Sequence, residues 1–209
     1  MTTATIDHIV YATPTLDATV EELREEWGID LVPGGPHVGR GTRNYLAGLG
    51  GSTYLEVIGP DPDQPAPAAP RPFAVDDLEL ARLTAWCARP NRPLADVVRD
   101  VSASGIDLGR VFAMSRRRPD GMLLEWELTA ANPASLDPVV PFCIDWLASE
   151  HPSASLSKTT RLTELRLTHP APEQVRAVLR ALRLELAIGE GAPSLTATVM
   201  TPNGELVLR

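Results

Sequence analysis

A histidine and a glutamate each interrupt an apolar row near the start of this chain. Ile6 to Ala12 reads as a β-strand, and alternation places Ile6, His8 and Val10 on one face and Asp7, Ile9 and Tyr11 on the other. Thr53 to Ile58 reads as a second strand, whose row Tyr54, Glu56, Ile58 carries a carboxylate in an otherwise apolar stretch. A buried carboxylate must find a metal, a cation or hydrogen-bond donors, or take up a proton. If the strands are neighbours with coincident rows, an imidazole nitrogen and a carboxylate oxygen can meet one divalent ion. Two ligands do not complete a site, and His37, His151, His169 and Glu164 are the candidates for a third. The plainer readings are a satisfied core histidine at His8, and a Glu56 that faces water or pairs with Arg43.

Pro33 to Asn44 holds four glycines together with His37, Arg40, Arg43 and Asn44. Glycine permits close backbone approach and arginine grips a carboxylate or phosphate bidentately, so a substrate-covering loop is expected, with a plain surface loop as the alternative. No Gly-Lys-Ser/Thr closes the segment and its spacing fits no dinucleotide fingerprint, which disfavours nucleotide binding. Trp126 and Trp146 read either as core or as walls of a concave pocket. Cys87 and Cys143 lie among apolar neighbours with no CxxC, which disfavours a disulfide framework, a cysteine-rich zinc site and a cysteine hydrolase.

The elements that must position these groups follow from periodicity. The strand at Ile6 leads into a helix over Thr15–Trp27, with Gly28 at its end, then strands near Leu31, over Thr42–Leu49 and over Thr53–Ile58. A connector, Gly59 to Pro72, has six prolines in fourteen residues. Beyond it come a strand at Leu80–Ala88, a helix from Pro93, and strands at Val111–Ser115, Leu123–Thr129 and Val140–Leu147, with a turn at Pro119-Asp120-Gly121. A third succession has a strand at Leu162–Thr168, a helix from Pro172 and a hairpin from Leu195 to Leu208 through Asn203-Gly204. The corner Thr13-Pro14 resembles His169-Pro170. The reading is of three modules, at 1–58, 73–150 and 151–209, around the connector 59–72. Its fold class is α+β with a mixed, mostly antiparallel sheet.

With 209 residues, 44% hydrophobic and 22% charged, the chain has globular composition. Its net charge of −8 argues against nucleic acid or an anionic membrane as partner, and the only basic cluster is Arg116 to Arg118. No apolar run reaches the roughly 18 residues that suggest a bilayer span, and the first residues have no signal-peptide pattern. A soluble, cytoplasmic protein is expected.

The segments IDHIVYATPTLD, PGGPHVGRGTRNYLAGLG and TYLEVIGPDP, with RRRPDGMLLEW and PFCIDW followed by HP, resemble the glyoxalase-like branch of the vicinal oxygen chelate superfamily. The resemblance covers residues 5 to 152 and continues weakly beyond. It implies paired βαβββ modules whose curled sheets enclose a cavity, and often a homodimer. It also implies a divalent metal held by His8 and Glu56, with His151 or His37 as third ligand and Glu56 in the catalytic machinery. His37, Arg43, Asn44, Tyr54, Trp126 and Trp146 would contact a small oxygenated substrate. The implied chemistry is of lyase, isomerase or dioxygenase type, in which the metal chelates vicinal oxygens while a base moves a proton. The superfamily it resembles also contains metal-free proteins that sequester small molecules, and this is the rival expectation. The later modules depart from the ligand pattern: Leu83 or Thr84 and Glu164 stand where a first-strand histidine would be, and Glu205 lies near a turn.

Overall fold

In the computed structural model, which describes residues 3–103, 105–117, 121–129 and 138–209, two successive βαβββ units build one eight-stranded sheet. The first unit comprises β1 (Thr5–Ala12), α1 (Leu16–Glu25), β2 (Val32–His37), β3 (Thr42–Gly48) and β4 (Tyr54–Pro60). The second comprises β5 (Arg82–Arg89), α2 (Leu94–Ser102), β6 (Phe112–Arg117), β7 (Leu123–Leu128) and β8 (Phe142–Asp145). The strand order β2-β3-β4-β1-β5-β8-β7-β6 reads outward from the centre in the same way in both units. Each first strand lies parallel to its own fourth, while β1 and β5 join the units antiparallel. The sheet curls until its ends approach, and Arg116 on β6 donates from Nη1 to Asn44 Oδ1 on β3 at 3.0 Å. The fold is α+β, with a curled, nearly closed sheet around a cavity that one chain supplies.

Alternation along the strands sends side chains to two separate cores. On the convex face, Ile9, Leu55, Val57 and Trp86 pack with Val20 and Leu23 of α1 and Val97 and Val101 of α2. The Trp86 indole N–H is satisfied by the Val139 carbonyl at 2.8 Å. On the concave face, Val10, Ala12, Ile58, Phe142 and Ile144 form a smaller cluster with Trp126 and Trp146. The concave residues surround the cavity and the convex ones hold the sheet's curvature against the helices.

The last stretch comprises β9 (Arg161–His169), α3 (Pro172–Leu182), β10 (Ile188–Glu190), β11 (Ser194–Thr201) and β12 (Gly204–Leu208). It has one strand more than the sequence suggests, because β10, at three residues, is too short to show alternation. Its order β10-β9-β11-β12 pairs β9 in parallel with β10, so it repeats the succession of the first two units but not their pairing. It packs through Leu167, Val175 and Val199 on the convex core. The two similar corners share a mechanism. Thr13 Oγ1 accepts from the Thr15 N–H at 3.1 Å, and His169 Nδ1 accepts from the Ala171 N–H at 3.0 Å. Thr15 and Ala171 then enter their helices at nearly the same φ/ψ, −128/72° and −124/69°.

Two expectations change on the structure. Pro33 to Asn44 is not a free loop. Its residues form β2, a tight turn and the start of β3, and its glycines let two prolines lie in a ladder at the sheet's edge. The proline-rich connector is held against this hairpin: the Asp61 N–H donates to the Gly41 carbonyl, and Gln64 Nε2 to that of Thr42. Of the expected turn at 119–121, Pro119 and Asp120 lie outside the described residues. No helix among the described residues is long and apolar enough to cross a membrane.

Cys87 and Cys143 are fully buried on opposite faces of the sheet. Burial pushes the Cys143 thiol up to about 12 and, with the nearby Asp7 charge, raises that of Cys87 well above its usual range. Since the thiolate is the nucleophile, both should resist an aromatic disulfide reagent in the native protein and titrate only after denaturation. Prompt native reaction at either position would contradict this packing.

Candidate functional site

β1 does not keep strict alternation. Against β5, Ile6 pairs with Ala88 and His8 with Cys87, so Asp7 is an extra residue that no partner opposes. Such a bulge re-aims the side chains around it. Ile6 turns to the convex core, and Asp7, expected opposite His8, has its carboxylate beside the His8 ring. His8 Nδ1–H donates to Asp7 Oδ1 at 2.7 Å. Asp7 Oδ2 accepts from Trp146 Nε1 at 3.1 Å and from His151 Nε2 at 2.9 Å, and Arg89 Nε lies 3.7 Å away. Burial opposes the charge on Asp7. The hydrogen bonds from His151 and His8 outweigh it and hold the carboxyl well below the usual carboxylate range.

With Nδ1 committed to Asp7, His8 presents Nε2 to the cavity, 3.6 Å from Glu56 Oε2. The ring is stacked on Tyr54 at 4.7 Å between centroids and meets Phe142 edge-on. Glu56 arrives from β4, which lies beside β1, with Val10 and Glu56 paired in register. Its Oε1 accepts from Asn44 Nδ2 at 2.6 Å, and His37 Nε2 stands 3.8 Å away. Burial lowers the His37 pKa, Glu56 opposes that shift, and Arg116 and Arg40 reinforce it, so the ring is held towards neutrality. His37 Nδ1 is bonded to Thr42 Oγ1 at 3.0 Å, which leaves Nε2 facing the corner with Asn44 and Glu56. Two imidazole nitrogens thus flank the two oxygens of one nearly buried carboxylate.

This corner opens into a cavity of about 430 Å³, within the usual range for small-molecule sites. His8, His37, Asn44, Tyr54, Glu56, Trp126 and Trp146 all line it. Two expected residues stand elsewhere. Arg43 follows alternation on β3 to the face opposite Asn44, where its Nη2 bonds both Asp17 oxygens at 2.8 Å, so it pairs with neither Glu56 nor a cavity ligand. His151 reaches the site through Asp7 rather than through Glu56, with Nδ1 bonded to Ser153 at 2.7 Å and Nε2 to Asp7. His169 belongs to its helix corner and Glu164 pairs with Arg166 on β9.

Sequence reasoning missed Asp7, Arg116 and Gly34. Strict alternation hid the first, and nothing local marks β6 as the strand that closes the sheet. A Cβ on Gly34 would lie 2.2 Å from Asn44 Oδ1 and 3.2 Å from Arg116 Nη1, so only glycine lets the asparagine bridge Glu56 and Arg116. Gly34→Ala should therefore displace Asn44 and cost about 1–3 kcal/mol, the range for overpacking. Chemical denaturation would read the loss, and a variant as stable as the parent would contradict the clash.

Two donor sets are candidates for a metal. Asp7, His8 and Cys87 bring one ligand atom each within 4.8 Å of one another, but Asp7 is saturated with hydrogen bonds and the Cys87 thiol is held protonated. The second set, wider than the first, is His8 Nε2, Glu56 and His37 Nε2, in which the two nitrogens lie 3.6 and 3.8 Å from the glutamate oxygens, with Asp7 orienting His8 from behind in the carboxylate–histidine arrangement common at metal sites. Imidazole and carboxylate suit a borderline or hard divalent ion.

Paired βαβββ units around one curled sheet, with histidine on a first strand and glutamate on the fourth strand beside it, define the vicinal oxygen chelate class. The chain belongs to the glyoxalase-like domain family of that class, whose model matches residues 6–183. Among solved structures it is similar to a hypothetical protein of Staphylococcus aureus, at 16% identity over 98% of this chain and 84% of that one, with a TM-score of 0.61. That likeness is one of fold. A methylmalonyl-CoA epimerase of Streptomyces coelicolor, in complex with 2-nitronate-propionyl-CoA, is 21% identical over 72% of this chain and 100% of its own, with a TM-score of 0.46. The corresponding epimerase of Mycobacterium tuberculosis is 18% identical over 66% and 84%, at 0.43. No curated protein matches the chain.

Proposed function

We propose that the protein is a divalent-metal-dependent enzyme acting on a small oxygenated substrate, with His8 and Glu56 as ligands and His37 as the third. The supporting observation is the fixed orientation of His8. Asp7 accepts the Nδ1–H hydrogen bond, so in the neutral ring Nε2 carries a lone pair facing a carboxylate oxygen 3.6 Å away, and two lone pairs so placed can share a cation between them. A bound divalent ion would supply Lewis acidity towards vicinal oxygens of the substrate. The chain's own residues do the rest. Asn44 and Arg116 hold Glu56 in place, Tyr54 and Phe142 fix the His8 ring, and Trp126 and Trp146 keep water from one wall. Glu56 is the group of this set that would act as base towards a proton on a carbon next to a carbonyl, because both ring nitrogens of His37 are engaged. Lyase, isomerase and dioxygenase chemistry all remain within this proposal.

The metal-free alternative, a small-molecule sequestering protein, is favoured by one contact. Asn44 already satisfies Glu56 Oε1 at 2.6 Å, so half of the carboxylate needs no ion. Exchange separates the readings. Incubation of 2-oxo and 2-hydroxy acids in D2O with added Mn, Co, Ni or Zn should wash deuterium into the carbon-bound position, and Glu56→Gln should abolish this. Binding without exchange or turnover under every metal would favour sequestration.

A further inference from the structure

The cavity is cationic in a protein whose net charge is −8. Arg40, Arg110 and Arg116 line it, against the single carboxylate of Glu56. Elsewhere six arginines are neutralised by carboxylates: Arg43 by Asp17, Arg71 by Asp76, Arg92 by Asp100, Arg99 by Asp96, Arg166 by Glu164 and Arg176 by Glu173. Arg40, in the β2–β3 turn, and Arg110, just before β6, have neither an ion pair nor a side-chain hydrogen bond among the described residues. Guanidinium groups left unmatched at a cavity attract an anion and grip a planar one bidentately. Arg40 and Arg116 both act electrostatically on His37, against Glu56 and Asp61, so these arginines stand near the His37–Glu56 end of the cavity.

The walls are aromatic. Phe73, Phe112, Tyr54, Phe142, Trp126 and Trp146 all border the cavity, in a chain that is only 5% aromatic overall. Trp126 and Trp146 lie 5.4 Å apart at a tilt of 43°, a surface on which a flat ring can rest.

We infer that the ligand of this cavity is a small aromatic anion, an aryl-substituted carboxylate whose acid group lies against Arg40 and Arg110 and whose ring lies against the tryptophans. This deepens the proposed function and rests on it only for the chemistry, not for the binding. A neutral ligand would leave two arginines unmatched, and an aliphatic anion would leave the aromatic walls underused.

Calorimetric titration tests it with phenylpyruvate, mandelate and salicylate, each beside its neutral amide, and with lactate as the ringless acid. The parent protein should bind at least one arylcarboxylate more than tenfold tighter than its amide and than lactate, with affinity that falls as salt rises. Arg40→Gln combined with Arg110→Gln should remove most of the preference for acid over amide. Both residues are exposed, so the fold should survive, and unchanged thermal unfolding would confirm it. Equal binding of acid and amide, binding of lactate as tight as of the arylcarboxylates, or no binding of any probe would overturn the inference, as would an unaltered preference in the double variant. Titrations with and without Zn or Mn keep the two proposals apart. Arginine-dependent arylcarboxylate binding without any metal uptake would leave this inference standing and sink the metal enzyme. Metal uptake and turnover of neutral substrates would do the reverse.

Discussion

Asp7→Ala should be among the most damaging single substitutions in the molecule, lowering unfolding free energy by about 3–5 kcal/mol, since each buried donor left without its acceptor costs about 1–3 kcal/mol. Asp7 is fully buried and accepts from His8, His151 and Trp146, so its loss strands three donors in a packed interior. Metal affinity should fall with it by about 10–100-fold, as when an outer carboxylate behind a ligating histidine is removed. The pH dependence follows from the sign of the shift. The folded-state pKa of Asp7 lies below its unfolded value, so the stability the carboxylate contributes is fully present above the ordinary carboxylate value and drains as pH falls through and below it. The acid limb of a denaturation series should therefore be steep in the parent protein and flatter in Asp7→Asn. Equal acid limbs would show that the Asp7 charge carries no such stability.

Glu56→Gln should produce the larger functional loss with a smaller structural one. Glutamine keeps the shape and one oxygen for Asn44, so the corner should stay folded. It removes the anion to which the two imidazole nitrogens are directed at 3.6 and 3.8 Å. Divalent affinity should drop by at least about 100-fold, well beyond the effect of Asp7, because a ligand is lost rather than its support. His8→Ala should match it. Thermal unfolding with and without Mn, Co, Ni or Zn would read the effect: parent stabilisation by excess ion should vanish in both variants. Persistent stabilisation in Glu56→Gln would move the metal away from this corner.

The sequence makes the site's framework legible but not its wiring. His8 and Glu56 stand out because a polar group in an apolar row is costly anywhere, and that needs no knowledge of partners. The strand and helix at each unit's start are equally readable from period 2 giving way to period 3.6. Asp7 is hidden because a bulge is decided between two strands, here by Ile6 and His8 pairing with consecutive residues of β5. Arg43 and Asn44 fall on opposite faces by alternation alone, but which of the two faces the cavity is decided by pairing with β4. Arg116 is hidden for a different reason: its role exists only once β6, at the far edge of the sheet, curls back to β3, a contact across 72 positions. The different pairing of β9 in the last unit is likewise a matter of tertiary packing, since its succession of elements matches the others.

If His8 and Glu56 hold a divalent ion, the purified protein should carry it. Elemental analysis of tag-free protein, purified without chelator and compared with His8→Ala and Glu56→Gln, tests it most directly. Close to one ion per chain is expected in the parent and none in either variant. A metal-free parent that also fails to take up Mn, Co, Ni or Zn on reconstitution would contradict it.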